Sequence, residues 1–207
     1  MPAIMISANY PSKSHRSDYR RDERQEMLVA PPLDLSYRKA ATMNDLMEKH
    51  YAQTIRTGKA PTRTMKDRYV TSTLWLSNNL LNSMEGLQRL ANRVLDDPVQ
   101  LSWLDLSFNE ISEIDEDIEQ FPNLKILYLH GNKISNIADV LKLKKLSSLR
   151  SLTLHGNPVE DISCYRSYVV HLLPKLLVFD FSPVIAAEKK KALPVGFAKM
   201  IQPEIRI

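Results

Sequence analysis

His130 and His155 share one local setting, Leu-His-Gly-Asn, 25 residues apart. If that setting recurs on neighbouring strands of one sheet, the two imidazoles lie within about 5 Å of each other. Two histidines at that distance could share a metal ion. The other residues at the same repeat position are Ser77, Ser107 and Ser182, which add no carboxylate or thiol. No metal is expected, and both histidines are read as hydrogen-bonding, partner-facing groups. Cys164, the one cysteine, would need a neighbouring base to act as a nucleophile. None can be assigned, so a small packed residue in a helix is the expectation. The G-x-x-x-x-G-K-[ST], G-x-G-x-x-G, H-E-x-x-H and C-x-x-C motifs are missing, and five glycines leave little for phosphate loops. The chain is read as a non-enzyme without a cofactor.

The elements that must position these residues follow from an internal period. TSTLWLSNNLL at 71–81, LSWLDLSFNEI at 101–111, LKILYLHGNKI at 124–134 and LRSLTLHGNPV at 149–159 align without gaps to L-x-x-L-x-L-x-x-N-x-L. Thr71 replaces the first leucine of the first segment, and Ile or Val closes the other three. Asn79, Asn109, Asn132 and Asn157 are spaced by 30, 23 and 25 residues, near the 20–29-residue period of leucine-rich repeats. The x-L-x-L stretch alternates with period two, so each segment holds a short strand with leucines on one face. One such strand cannot bury its leucines alone. Strands stacked about 4.8 Å apart make a parallel sheet over one continuous core. Each asparagine then supplies a donor and an acceptor where the chain turns. The resemblance to leucine-rich repeats implies that the four asparagines form a ladder.

The third, fifth and seventh repeat positions face away from the leucines. The third-position column is Thr73, Trp103, Ile126, Ser151 and Val178; the fifth is Trp75, Asp105, Tyr128, Thr153 and Asp180. Both tryptophans therefore share the concave sheet face with Ile126 and Tyr128. Exposed aromatics are costly in water and enriched at interface hot spots. Asp105 among them could pair with an entering basic group. Trp75, Trp103, Asp105, Ile126, Tyr128, His130 and His155 form the candidate partner-binding set. The competing reading is that MLVAPPLDLSYR at 27–38, an apolar stretch of the same chain, covers this face.

Between strands the chain must return. Leu87, Leu90, Ala91, Val94 and Leu95 lie on one helical face, with Asn82 or Ser83 as candidate cap and Pro98 beyond the end. The second return, EIDEDIEQFPN, reads as a single acidic turn. The third, IADVLKLKKLSS, directs Lys142, Lys144 and Lys145 outward. A solenoid also needs an end cap. Ile162, Tyr165, Val169 and Leu172 form a helical face stopped by Pro174, and LLVFDFS at 176–182 supplies a last strand with Phe179 and Phe181 at leucine positions.

Composition bounds the rest. At 207 residues, with 43% hydrophobic and 25% charged residues, the chain is globular. No apolar run approaches the ~18 residues of a membrane span. The N-terminal sequence lacks a secretory pattern, and one cysteine cannot form an internal disulfide, so a cytoplasmic setting is expected. The net charge of +4 is uneven: residues 1–70 carry 13 Lys/Arg and 8 Asp/Glu, 71–182 carry 10 and 14, and 183–207 carry 5 and 2. A mildly acidic body bears two basic arms. Residues 1–26 mix charges and read as a protease-sensitive segment ordered only by partners.

The stretch YRSYVVHLLPKLLVFD resembles the C-terminal cap of intracellular leucine-rich repeat proteins of the spliceosomal A-prime and axonemal dynein light chain types. PPLDLSYR at 31–38, TLWLSNN, LDLSFN, LYLHGN, SLTLHGNP, YRSYV and FDFS together resemble a small, non-enzymatic leucine-rich repeat family over roughly residues 31–201. That resemblance implies a cytoplasmic adaptor associated with cilia. The expected architecture is α/β: a short leucine-rich repeat solenoid of about four repeats, with its parallel sheet on the concave face. Its parts are a basic, partly extended N-terminal arm at 1–70, a repeat domain at 71–182 with its cap at about 160–182, and a basic tail at 183–207. The expected function is a protein-binding adaptor in the ciliary or flagellar axoneme, within a microtubule-associated assembly. The alternatives are an RNA-associated scaffold or a regulatory subunit of an enzyme. Nucleic acid fits poorly, because Asp105 and Asp180 on the sheet face repel phosphate. No membrane partner is expected.

Overall fold

The computed structural model describes residues 30–47 and 56–190. Among these residues seven strands form one sheet in sequence order. The leucine alternation produces strands β2 (Thr73–Trp75), β3 (Trp103–Asp105), β4 (Ile126–Tyr128) and β5 (Ser151–Thr153), each parallel to the next. The register sets Leu74, Leu104, Leu127 and Leu152 side by side. All four are fully buried, as are Leu76, Leu106, Leu129 and Leu154 two residues on. The solenoid expected from the repeat is the observed fold.

The sheet begins one rung earlier than the aligned segments. Strand β1 (Leu33–Asp34) pairs with β2, setting Leu33 against Leu74 and Asp34 against Trp75. PPLDLSYR therefore lies in the sheet and does not cover its face. The rung escapes the repeat pattern because Arg38 stands where the asparagine belongs. Asn79 of the next rung compensates by accepting the Arg38 amide at 2.8 Å.

The asparagines, each nearly buried, bond in one repeated way. Asn109 Nδ2 donates to the carbonyls of Leu106 and Leu76, and its Oδ1 accepts the amide of Leu81. Asn132 makes the same bonds to Leu129, Leu106 and Ile111. Asn157 makes them to Leu154, Leu129 and Ile134, and Asn79 joins Leu76 to Leu35. Each side chain thus bridges two rungs and satisfies backbone groups that the turn would leave unpaired.

Short return legs close the other side. Helix α1 (Met43–Met47) follows β1, and α2 (Leu87–Val94) follows β2 with the expected residues buried. Its N-cap is Gly86 in a left-handed conformation with no side-chain bond, not Asn82 or Ser83. The strands at β3 and β4 are followed by 3-10 turns at Glu116–Gln120 and Ile137–Lys145. Of the lysines expected outward, Lys144 and Lys145 are exposed, while Lys142 bends back to donate to the Ile114 carbonyl at 2.6 Å. The acidic run is also partly engaged: Glu110 pairs with Lys133, Glu119 pairs with Lys145, and Asp117 accepts the Gly86 amide.

The cap departs from expectation at two points. Helix α3 (Tyr165–Leu172) buries Tyr165, Val169 and Leu172 as read, but Ile162 and Cys164 precede it, Ile162 half-buried at the end of a 3-10 turn and Cys164 exposed and left-handed at φ 64°. Strand β6 (Val178–Phe179) buries Phe179 and adds a parallel rung. The chain then reverses through Asp180 and Phe181 into β7 (Ser182–Pro183), which is antiparallel to β6. Phe181 is consequently 57% exposed rather than in the core. Helix α4 (Ala186–Lys189) closes the described chain, held by Arg166 through Glu188.

Candidate protein-binding face

The sheet twist and the repeat register place the aromatic residues in a connected series. Trp75 and Trp103 meet edge to face with centroids 5.5 Å apart, and Trp103 meets Tyr128 likewise at 5.7 Å. Tyr128 reaches Phe181 at 5.4 Å and His130 at 5.8 Å. His130 and His155 stack in parallel, 4.7 Å apart and 8° from coplanar. Phe181 touches both histidines, and Phe108 meets His130 at 5.0 Å. The candidate set is therefore brought together, with Phe108 and Phe181 added. Trp75, Trp103, Ile126 and Tyr128 are half-buried, so the exposed end of the strip is at the phenylalanines.

Both phenylalanines are held at backbone positions that favour glycine. Tyr37, Asn78, Phe108, Gly131 and Gly156 share the eighth repeat position, and all have φ between 53° and 69°. At this point the chain must leave the strand while its amide still reaches the next rung, as Phe108 does to His130. A bulky residue is strained there, by about 1 kcal/mol or more. Phe181 is the second residue of the two-residue turn joining β6 to β7, with φ 58° after Asp180 at 48°. That is the hairpin geometry that usually takes Asn-Gly or Asp-Gly. The Phe108 ring lies over Gly131, where an added methyl would come within 2.7 Å of it.

The histidines are tied to the protein through Nδ1. His130 Nδ1 lies 2.8 Å from Thr153 Oγ1, and His155 Nδ1 lies 3.3 Å from Asp180 Oδ1. Burial, with the His155 imidazole beside it, holds His130 below the usual histidine range, against the opposing pull of Asp105 and Asp180. Burial and the Asp105 charge raise the Tyr128 hydroxyl above the ordinary tyrosine value. No group of three or more metal-binding side chains occurs among the described residues.

Asp105 is not the open acid that its position in the strip suggests. It is buried, accepts from the Ser107 amide and hydroxyl at 3.0 and 2.6 Å, and lies 3.7 Å from Arg56 Nη2. Arg56, absent from the sequence-derived set, stacks over Trp75 at 4.4 Å. The chain does cover one end of the strip, but with Arg56 and not with residues 30–38; residues 27–29 of the apolar stretch lie outside the described residues. The signal for the acid positions was present in the sequence: Leu-Asp-Leu-Ser occurs at 33–36 and again at 104–107. Nothing in the sequence marks Arg56.

A family model described as Leucine-rich repeat matches residues 67–200. The chain belongs to the leucine-rich repeat family. It is 42% identical over 174 residues to Leucine-rich repeat-containing protein 51 of Macaca mulatta, covering 84% of this chain and 88% of that one. It is 41% identical over 91 residues to Centrosomal protein of 72 kDa of Mus musculus, covering 44% of this chain and 14% of that protein. Among solved structures, a chain of the Drosophila melanogaster SNF/U2A′ complex superposes with a TM-score of 0.55 at 20% identity, over 81% of this chain and 87% of that one. This last likeness concerns the fold alone. Leucine-rich repeat domains are protein-interaction modules, and the comparisons indicate no catalytic family. Among the described residues no helix is long and apolar enough to cross a membrane.

Proposed function

We propose that the chain is a protein-binding adaptor that seats its partner on the concave aromatic face. The observation that carries this is the pair Phe108 and Phe181. Two aromatic rings, each more than half exposed, are held in left-handed backbone beside a stacked histidine pair. Keeping them there works against stability twice, through strain and through exposed apolar surface. Residues held so expensively are expected where binding uses them.

The finer reading places this adaptor at a microtubule-based structure, the ciliary or flagellar axoneme. The likeness of 91 residues to a protein named as centrosomal supports it, because centrosomes and axonemes share their microtubule framework. Proximity labelling in ciliated cells, with the wild type and Phe181→Gly in parallel, tests both statements. Axonemal proteins labelled by the wild type and lost in the variant are the expected result. Labelling of unrelated cytoplasmic or RNA-bound proteins defeats the location. Identical labelling by the variant defeats the face.

A further inference from the structure

Asp34, Ser36, Trp75, Ser77 and Asp105 come from three successive rungs. In both Leu-Asp-Leu-Ser motifs the aspartate bends the same way. Asp34 Oδ1 accepts the Ser36 amide at 3.0 Å, and Asp105 Oδ1 accepts the Ser107 amide at 3.0 Å. Each carboxylate thus has its second oxygen turned to one place on the concave face. Arg56 occupies that place. Its Nε lies 3.4 Å from Asp34 Oδ2, and its Nη2 lies 3.7 Å from Asp105 Oδ2. Nη2 also donates to Ser36 Oγ at 2.8 Å and Ser77 Oγ at 2.9 Å. The Trp75 indole lies against the guanidinium face at 4.4 Å.

The chemistry of this pocket selects a guanidinium. A fork of N–H donors can serve several oxygens while its flat face rests on an aromatic ring; a lysine ammonium offers a point charge without the plane. The Asp34 side chain is fully buried, whereas the Arg56 side chain remains 36% exposed. The acids are built into the sheet, and the arginine sits over them from outside. Two carboxylates face this one guanidinium, so the pocket keeps an excess negative charge. Trp103 continues the aromatic surface from Trp75 towards Tyr128, giving an incoming segment a path along the strip.

We propose that this pocket is an arginine-recognition site, held in cis by Arg56, and that the partner is a protein segment that inserts its own arginine there in exchange. The proposal rests on the concave face being the binding face and names the chemistry of what binds. Competition in cis scales the apparent affinity by the fraction of time the pocket stands open.

The test uses the full chain at fixed ionic strength, with a fluorescent Gly-Arg-Gly-Arg-Gly peptide and its lysine counterpart as probes. Arg56→Ala is expected to bind the arginine peptide about 10-fold more tightly than the wild type, as release of a pocket filled nine-tenths of the time requires. It should prefer arginine to lysine, and adding Trp75→Leu, which removes the ring under the guanidinium face, should narrow that preference. If Arg56→Ala does not fold, Arg56→Lys, which keeps the charge and loses the fork, is measured in its place and should bind the arginine peptide more tightly than the wild type. Equal affinity of wild type and variant overturns the proposal. So does equal binding of the two peptides, or a preference left unchanged by Trp75→Leu. Phe181→Gly lies outside the pocket and reports on the binding face separately: loss of labelling there without arginine preference here keeps the face and rejects the pocket.

Discussion

The Leu154 amide donates to the side-chain oxygen Asp180 Oδ1 at 2.7 Å. In earlier rungs the matching amide goes to the main-chain carbonyl of the residue at this same repeat position: Leu76 to Asp105, Leu106 to Tyr128 and Leu129 to Thr153. At Asp180 the backbone turns left-handed, and the carboxylate substitutes for the carbonyl. It also accepts from the His155 amide at 3.0 Å and from the Tyr165 hydroxyl at 3.0 Å.

Asp180→Ala is therefore expected to lower stability by about 3 kcal/mol, since it strands two amides and a largely buried hydroxyl. Tyr165→Phe removes one donor and should lower it by about 1 kcal/mol. Asp180→Asn keeps an acceptor and should recover most of the loss. Urea unfolding of the three variants measures these differences. A harmless Asp180→Ala would show that the carboxylate does not close the last rung.

The ladder and the leucine core give a second expectation. Leu127→Ala, at a fully buried site, should lower stability by about 2–5 kcal/mol. Asn132→Ala removes bonds to Leu106, Leu129 and Ile111 and should lower it by about 1–3 kcal/mol. The same urea titrations decide. An Asn132→Ala variant as stable as wild type would mean that the turn carbonyls find water instead.

Phe181→Gly is expected to leave the melting point unchanged or raise it, by relief of about 1 kcal/mol of strain, while weakening partner binding. Gly131→Ala should do the reverse: a strained backbone and a methyl driven into the Phe108 ring lower stability by about 1–2 kcal/mol. Thermal melts of both, set beside partner recruitment, check the pair. Trp103→Ala separates the two effects less cleanly than its outward position in the repeat suggests, because its ring is half-buried between Trp75 and Tyr128.

Stability should also respond to pH through His130. Its folded-state value lies below the ordinary 6.5, so the unfolded chain takes up a proton more readily. The contribution is complete above the ordinary value and is lost as pH falls through it towards the folded value. Burial sets most of the effect, His155 adds to it, and Asp105 and Asp180 oppose it; Tyr128 packs against the ring. His130→Phe should flatten the fall in melting temperature between about pH 7 and 5.5. An unchanged slope would assign that fall to other groups.

The repeat register was legible because leucine alternation and a fixed asparagine carry its physics in residue type alone. It placed Leu127, Asn132 and the sheet residues Trp75, Trp103, Ile126 and Tyr128 correctly, but neither Phe108 nor Phe181. The rung at Leu33–Asp34 was missed because Arg38 lacks the asparagine, and its bond is supplied by Asn79 from 41 residues away. Phe181 was misplaced because Asp-Phe is not a turn signal: the hairpin there is imposed by the ending of the solenoid, against local preference. Arg56 was invisible for a related reason. Its meaning depends on two aspartates, at 34 and 105, that only the stacked sheet brings to one point.

The final hairpin also bears on how copies of this chain can meet. A parallel sheet that ended at Phe179 would offer a bare row of amides and carbonyls, an invitation to add strands from another molecule. Strand β7 covers that row and puts Pro183, which has no amide hydrogen, on the outer edge. At the opposite end the edge strand is two residues long and is preceded by Pro31 and Pro32. Both ends resist splicing, so the rod has a fixed number of rungs. Edge-to-edge elongation into fibres is therefore not expected at high concentration, a result that light scattering across a concentration series checks.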